Sequence, residues 1–176
     1  MFKRIIFLLS VVASCMTFTC KAQKEFPVPT GNPNQLFYLQ RTVNANTIVC
    51  ELNYKNGVVD LKEPVSVFWI RYGEQGQREE LSFIQKKFAY GVKTTLVAKD
   101  KYELRFAACK DYPMYLVKDA DNKYNVYATI NQRQAILNRI FVKINGGTAW
   151  SPNVEYIEIK GTDLTTGKEI TERRKV

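Results

Sequence analysis

The sequence predicts a mainly β protein, an antiparallel β-sandwich or barrel of about 8–10 strands with one packed α-helix near residues 79–90. Three observations carry that reading. Short segments alternate apolar and polar residues with period two and are rich in β-branched and aromatic side chains. Gly, Asn, Asp or Pro bounds each of them, so the chain turns back on itself at close spacing. Only one stretch has apolar residues at helical spacing.

In chain order, Lys3 and Arg4 precede an apolar run from Ile5 to Val12, and Cys20-Lys21-Ala22 offers a cleavage site before Gln23. This is the layout of a secretory signal peptide spanning residues 1–22, so the chain is expected to be exported. Val12-Ala13-Ser14-Cys15 also resembles a lipobox, which would lipidate Cys15 and anchor the mature protein. Against that alternative, the segment before Cys15 is short and Met16-Thr17-Phe18-Thr19 continues the apolar character. Ile5 to Phe18 is also too short for a spanning helix, which needs about 20 apolar residues. No second apolar stretch follows, so no integral membrane span is expected in the mature chain.

Residues 23–35, with Pro27, Pro29, Gly31 and Pro33, form an extended lead-in that cannot continue a helix. A single β-rich domain follows over residues 36–176. Its strand segments are Leu36 to Thr42, Thr47 to Tyr54, Pro64 to Tyr72, Val92 to Ala98, Tyr102 to Ala108, Met114 to Lys118, Lys123 to Ile130, Ala135 to Asn145, and Val154 to Lys160. Asn56-Gly57 is a strong hairpin signal, because both residues accept the positive φ of a type I′ turn. Between Pro64 and Tyr72 both faces are apolar, Val65, Val67 and Trp69 alternating with Phe68, Ile70 and Tyr72. Such a strand needs cover on each side, and the simplest arrangement centres it with strands on one face and the helix on the other. The helix is expected from Leu81, Ile84 and Phe88, with Glu79 and Glu80 in its first turn, Lys86 and Lys87 in its last, and Gly91 as its stop. Glu172-Arg173-Arg174-Lys175 reads as a solvated chain end.

Composition narrows the chemistry. The chain has no histidine, which excludes serine–histidine and cysteine–histidine hydrolases and histidine-dependent zinc sites. No catalytic or cofactor motif is recognisable, and no cofactor is expected. Carboxylate catalysis on a glycan stays open through Glu51, Glu103, Asp111, Glu155 and Glu158, which qualify by residue type alone. Loss of the leader removes Lys3, Arg4 and Lys21 from a formal net charge of +9, and the remaining charges are interspersed, as in Lys99-Asp100-Lys101-Tyr102-Glu103. Nucleic acid is therefore not an expected partner.

Of the four cysteines only Cys50 and Cys109 lie outside the leader. Alternation places Cys50 on the face of Ile48, Leu52 and Tyr54, whereas Cys109 is out of phase with Tyr102, Leu104 and Phe106, so two buried thiols are the plainer reading and a disulfide the alternative. Asp119-Ala120-Asp121-Asn122 has the acidic look of a calcium loop but lacks the downstream glycine and glutamate, and it sits between two strand segments. A hairpin turn is expected there, with no metal.

The densest stretch is Val67 to Gly73, followed by the helix and Tyr90. Arg71 shares a strand face with Trp69, so a guanidinium beside an indole is placed to recognise an anionic or sugar ligand. Trp69, Arg71, Tyr72 and Tyr90 are the candidate ligand residues. The plainer reading of Arg71 is an ion pair with a glutamate at the sheet edge, its stem packed on Trp69.

The runs Leu36 to Arg41, Asn46 to Asn53, Pro64-Val65 through Trp69 to Tyr72, and Ala89-Tyr90-Gly91 resemble domain-of-unknown-function family 4833, a group of secreted bacterial proteins. The resemblance covers most of the chain from about Pro27. Its motifs are runs of strand residues without catalytic logic, and it implies a setting in the periplasm or cell envelope of a Gram-negative bacterium. The expected function is a non-enzymatic β-domain that binds a small ligand or an envelope partner, with a pocket or apolar patch near Trp69. The alternatives are a carboxylate-dependent enzyme acting on a glycan and a lipid-anchored accessory subunit.

Overall fold

The computed structural model describes residues 26–42, 44–148 and 151–176, so the expected signal peptide, Cys15 and the first residues of the lead-in lie outside the described residues. Alternating segments become strands because each can bury one face while its backbone pairs with neighbours on both edges. Among the described residues there are thirteen, more than the alternation alone marks. They are β1 (Gln35–Arg41), β2 (Asn44–Leu52), β3 (Tyr54–Lys55), β4 (Val58–Val59), β5 (Val65–Ile70), β6 (Arg78–Glu80), β7 (Val92–Ala98), β8 (Lys101–Phe106), β9 (Cys109–Lys118), β10 (Tyr124–Ile130), β11 (Arg133–Gly147), β12 (Pro152–Asp163) and β13 (Glu169–Lys175).

The long strand β11 organises the sheet. Along one edge its first half pairs antiparallel with β10, Ile136 opposite Tyr127, and its second half pairs in parallel with β1, Arg139 opposite Tyr38. Its other edge carries β12, which in turn carries β13. Two wings therefore leave the same edge of β11: β1-β2-β5-β6 and β10-β9-β8-β7. They curl to face one another as a half-barrel, and the T-shaped contact of Phe37 with Phe106, centroids 5.9 Å apart, joins them. Leu39, Ile48, Cys50, Val67 and Trp69 from one wing close over Leu104, Met114, Leu116 and Val126 from the other. A register shift between Leu137 and Arg139 lets both Leu137 and Ile140 face this core. Gly161 is needed beside it, because a Cβ there would lie 2.5 Å from the Ile136 carbonyl oxygen and 2.7 Å from Ile130 Cδ1.

Several expectations change. The β1–β11 pair is parallel, although local alternation suggested hairpins throughout; the crossover between them spans most of the domain. Strand β5 is not central but second from an edge, since only the three-residue β6 lies beyond it. Trp69 faces the core, while Phe68 on the other face is covered by Arg78, whose Cζ lies 3.6 Å from its ring centroid. Glu79 and Glu80, expected in a helix, are strand residues of β6; Glu172 to Lys175, expected as a solvated end, are ordered in the edge strand β13 with Arg173, Arg174 and Lys175 exposed.

The helix is shorter than expected. It comprises α1 (Phe83–Gln85) and a π-helical turn (Lys86–Tyr90), started by a capping box in which the Ser82 side chain accepts from Gln85 N–H and the Gln85 side chain accepts from Ser82 N–H. Leu81 is buried ahead of it, whereas Ile84 and Phe88 face outward. Gly91 ends it with an extended φ of −64°; its role is space, since a Cβ would collide with the Lys86 carbonyl. The hairpin at Asn56-Gly57 has the expected geometry, φ 53° and 80°, joining β3 to β4. The cysteines are unbridged: Cys50 is buried against the core and burial raises its thiol pKa, whereas Cys109 is exposed. The lead-in lies along the outer face of β1. Phe26 packs on Phe141 at 5.5 Å, and the Pro27 carbonyl accepts from buried Gln40 Nε2 at 2.8 Å.

Candidate functional site

Trp69 is the fixed point of the region that the sequence singles out. Strand β5 places it opposite Ile48 on the core face, and it is fully buried. Its indole N–H donates to Gln85 Oε1 at 3.4 Å, and the Tyr90 ring meets it edge-on at 5.2 Å. The helical segment is thus held against Trp69 by Gln85 and Tyr90, and through them Trp69 orients the segment. Because the indole is covered, it acts as a floor and offers no stacking face to a ligand.

Arg71 follows the end of β5 with its Cζ 5.1 Å from the Trp69 ring centroid. Its guanidinium is committed: Nε and Nη2 donate to Glu79 of β6 at 2.7 and 2.8 Å. The Arg71 hydrogen bonds hold the Glu79 carboxyl below the usual range against a smaller opposing effect of burial, and the same pair raises Arg71. The plainer reading of Arg71 therefore describes it. Tyr72 lies in the turn that follows, its ring near Gly76, and this turn is secured where Gly73 N–H donates to Asn46 Oδ1 at 2.8 Å. Trp69, Arg71 and Tyr90 come together; Tyr72 stands to one side.

The residue that sequence reasoning missed is Arg41. Strand β1 brings it to the same face, its Cζ 5.4 Å from the Trp69 centroid and 5.7 Å from that of Tyr90. Its Nε is buried and has no hydrogen-bond partner among the described residues, and no carboxylate among them pairs with it. An orphaned buried donor is uncommon and costs free energy, so it calls for a physical reason. A signal existed in retrospect: Arg41 breaks the apolar phase of Phe37 and Leu39 on the inner face of β1. A second guanidinium, Arg139, also leaves Nε unpaired, but it lies on the outer face over Phe141, apart from these residues.

The opposite end of the β1–β2 pair holds a cleft of about 530 Å³ lined by Asn34, Leu52, Tyr54, Asn122, Tyr124 and Asn138, among others. Its lining includes one carboxylate, Asp121. None of the five acidic residues considered for catalysis, Glu51, Glu103, Asp111, Glu155 and Glu158, lines this cleft, and three of them are engaged in hydrogen-bonded pairs. Glu51 accepts from Arg78, Asn32 and Ser66, Glu103 from Arg105, and Glu158 from Arg173. Asp119 is occupied by turn contacts, accepting from Asp121 N–H at 3.1 Å, Lys123 N–H at 2.9 Å and Asn125 Nδ2 at 2.9 Å. Among the described residues no group of three or more Cys, Asp or Glu is placed to hold a metal ion. No helix among them is long and apolar enough to cross a membrane.

A family described as "Domain of unknown function (DUF4833)" matches residues 37–173. No curated protein and no solved structure matches the chain.

Proposed function

The chain belongs to the DUF4833 family, and we propose that it is a non-enzymatic, exported β-domain that binds a small anionic ligand at Arg41. The observation that carries this reading is the buried Arg41 Nε, without a partner, beside Trp69 and Tyr90. A carboxylate or phosphate oxygen set against that edge would satisfy Nε and a terminal nitrogen together, the bidentate geometry that guanidinium favours. The neighbouring Arg71 is already neutralised by Glu79, so the remaining local charge favours an anion. Export rests on the leader at residues 1–22, and the non-enzymatic reading rests on the absence of histidine and of a catalytic motif. The glycan-hydrolase alternative needs two carboxyl groups facing each other across a groove, and the cleft lining contributes only Asp121.

Native and denatured mass spectrometry of the mature protein from its own host's envelope tests the proposal. The expected result is a discrete excess mass in the native spectrum that is lost in Arg41→Met. Equal native and denatured masses, or an adduct that survives Arg41→Met, would exclude tight capture at this site. The denatured mass also reports whether the chain starts after Ala22 or carries acyl chains on Cys15.

A further inference from the structure

The helical segment that covers Trp69 turns its other side outward. Phe83, Ile84 and Phe88 are 74%, 49% and 60% exposed. Spacings of four, Phe83 to Lys87 and Ile84 to Phe88, set neighbouring side chains side by side, and the Lys87 ammonium lies 5.7 Å from the Phe83 ring centroid and 5.2 Å from that of Phe88. This orientation is built in. The Ser82–Gln85 capping box fixes the start of the segment, and the contacts of Gln85 and Tyr90 with Trp69 fix its inner side. The segment cannot rotate its phenylalanines inward without breaking both.

We propose that this face docks onto an anionic lipid surface, with Phe83, Ile84 and Phe88 entering the boundary between headgroups and acyl chains and Lys87 meeting the phosphates. Charge complementarity selects this occupant. The nearby carboxylates are already paired, Glu79 with Arg71 and Glu80 with Arg78 and Lys86, which leaves Lys87 without a salt bridge among the described residues. A cation set between exposed aromatic side chains is the composition of interfacial membrane segments, where the rings take the apolar layer and the ammonium reaches the headgroups. An apolar groove on a partner protein would instead have to bury that ammonium among the rings. Exposed apolar side chains that cluster, unlike single scattered ones, mark an interaction surface. The inference uses no property of Arg41 and stands apart from the ligand reading.

Sedimentation of the mature protein with vesicles tests it, using phosphatidylglycerol–phosphatidylethanolamine vesicles in one arm and phosphatidylcholine vesicles in the other. Wild type is expected to partition onto the anionic vesicles and to be released by salt. The double variant F83S/F88S should lose about a hundredfold in partition coefficient while keeping the wild-type melting temperature, because both rings are exposed. Lys87→Glu should weaken binding to the anionic vesicles alone, by about fivefold to tenfold. Arg41→Met should bind vesicles as wild type does, which separates this surface from the ligand site. Absence of wild-type binding, equal binding to both lipids, or wild-type binding by F83S/F88S overturns the proposal. A wild-type dimer that F83S/F88S converts to monomer, without vesicle binding, would assign the face to self-association instead.

Discussion

The two ends of the β1–β2 ladder handle buried charge in opposite ways. At one end Glu51, opposite Gln35, accepts hydrogen bonds from Arg78, Asn32 and Ser66, and its side chain is 12% exposed. Burial pushes its carboxyl up, but those hydrogen bonds together outweigh burial and hold it below the usual carboxylate range. At the other end Arg41, opposite Asn44, brings a guanidinium against two aromatic rings and leaves Nε without an acceptor. The same two strands thus carry one charge that the fold completes and one that it leaves incomplete. Completed networks stabilise; an incomplete one is a place where something from outside can bind.

Substitutions can break or sharpen this contrast. Phe37→Ala removes the ring that joins the two wings midway between the ends, and should cost about 3–5 kcal/mol in chemical denaturation while loosening both ends alike. If only one end is affected, the two ends do not share a core. Glu51→Ala should cost about 1–2 kcal/mol, because Asn32 and Ser66 lose their shared acceptor and Arg78 its partner.

Glu51→Gln isolates the charge. A depressed carboxyl pKa contributes stability that is present above the unfolded value, about 4.3, and lost as pH falls through the folded value. The variant should therefore lose stability at neutral pH and show a flatter acid limb in pH-dependent thermal melts. An unchanged acid limb would mean that Glu51 does not contribute in this way. Arg41→Met, by contrast, should leave the unliganded protein unchanged or up to about 1 kcal/mol more stable, since it removes a buried donor that has no acceptor. A loss of 2 kcal/mol or more, as an order of magnitude for a broken buried charge contact, would show that Arg41 is part of a completed network after all. Smallest of all, Glu79→Gln should stay within the error of a thermal melt, because the Arg71–Glu79 pair lies at the solvent edge and is screened.

The contrast also shows how much was legible before folding. Period-two alternation and β-branched or aromatic enrichment locate β1, β2, β5, β7, β8, β9, β10, β11 and β12, most clearly where one face is buried, as in β8 and β10. The Asn56-Gly57 turn follows from backbone sterics within two residues. Residues 78–80 and 169–175 escape such a reading because they are edge strands, whose charged side chains protect an open backbone edge and so lack the apolar period. The helical spacing of Leu81, Ile84 and Phe88 misleads for a related reason: it reports a periodic pattern without saying which side has a partner. Here Leu81 is buried before the helix begins and the other two face outward. Of the candidate site, Trp69, Arg71 and Tyr90 lie in one short stretch and could be read together, whereas Arg41 lies on another strand.

By itself the sequence determined what depends on neighbours along the chain: the β class, the turn at Asn56-Gly57, the lack of histidine chemistry, and membership of the family over residues 37–173. Only the tertiary structure decided what depends on residues far apart in sequence. The parallel register of β1 on β11 bends the sheet into facing wings, and the pairing of β1 with β2 and of β2 with β5 carries Arg41 to Trp69. Long-range pairing is selected by the burial and hydrogen bonding of the whole sheet at once, so no local period records it.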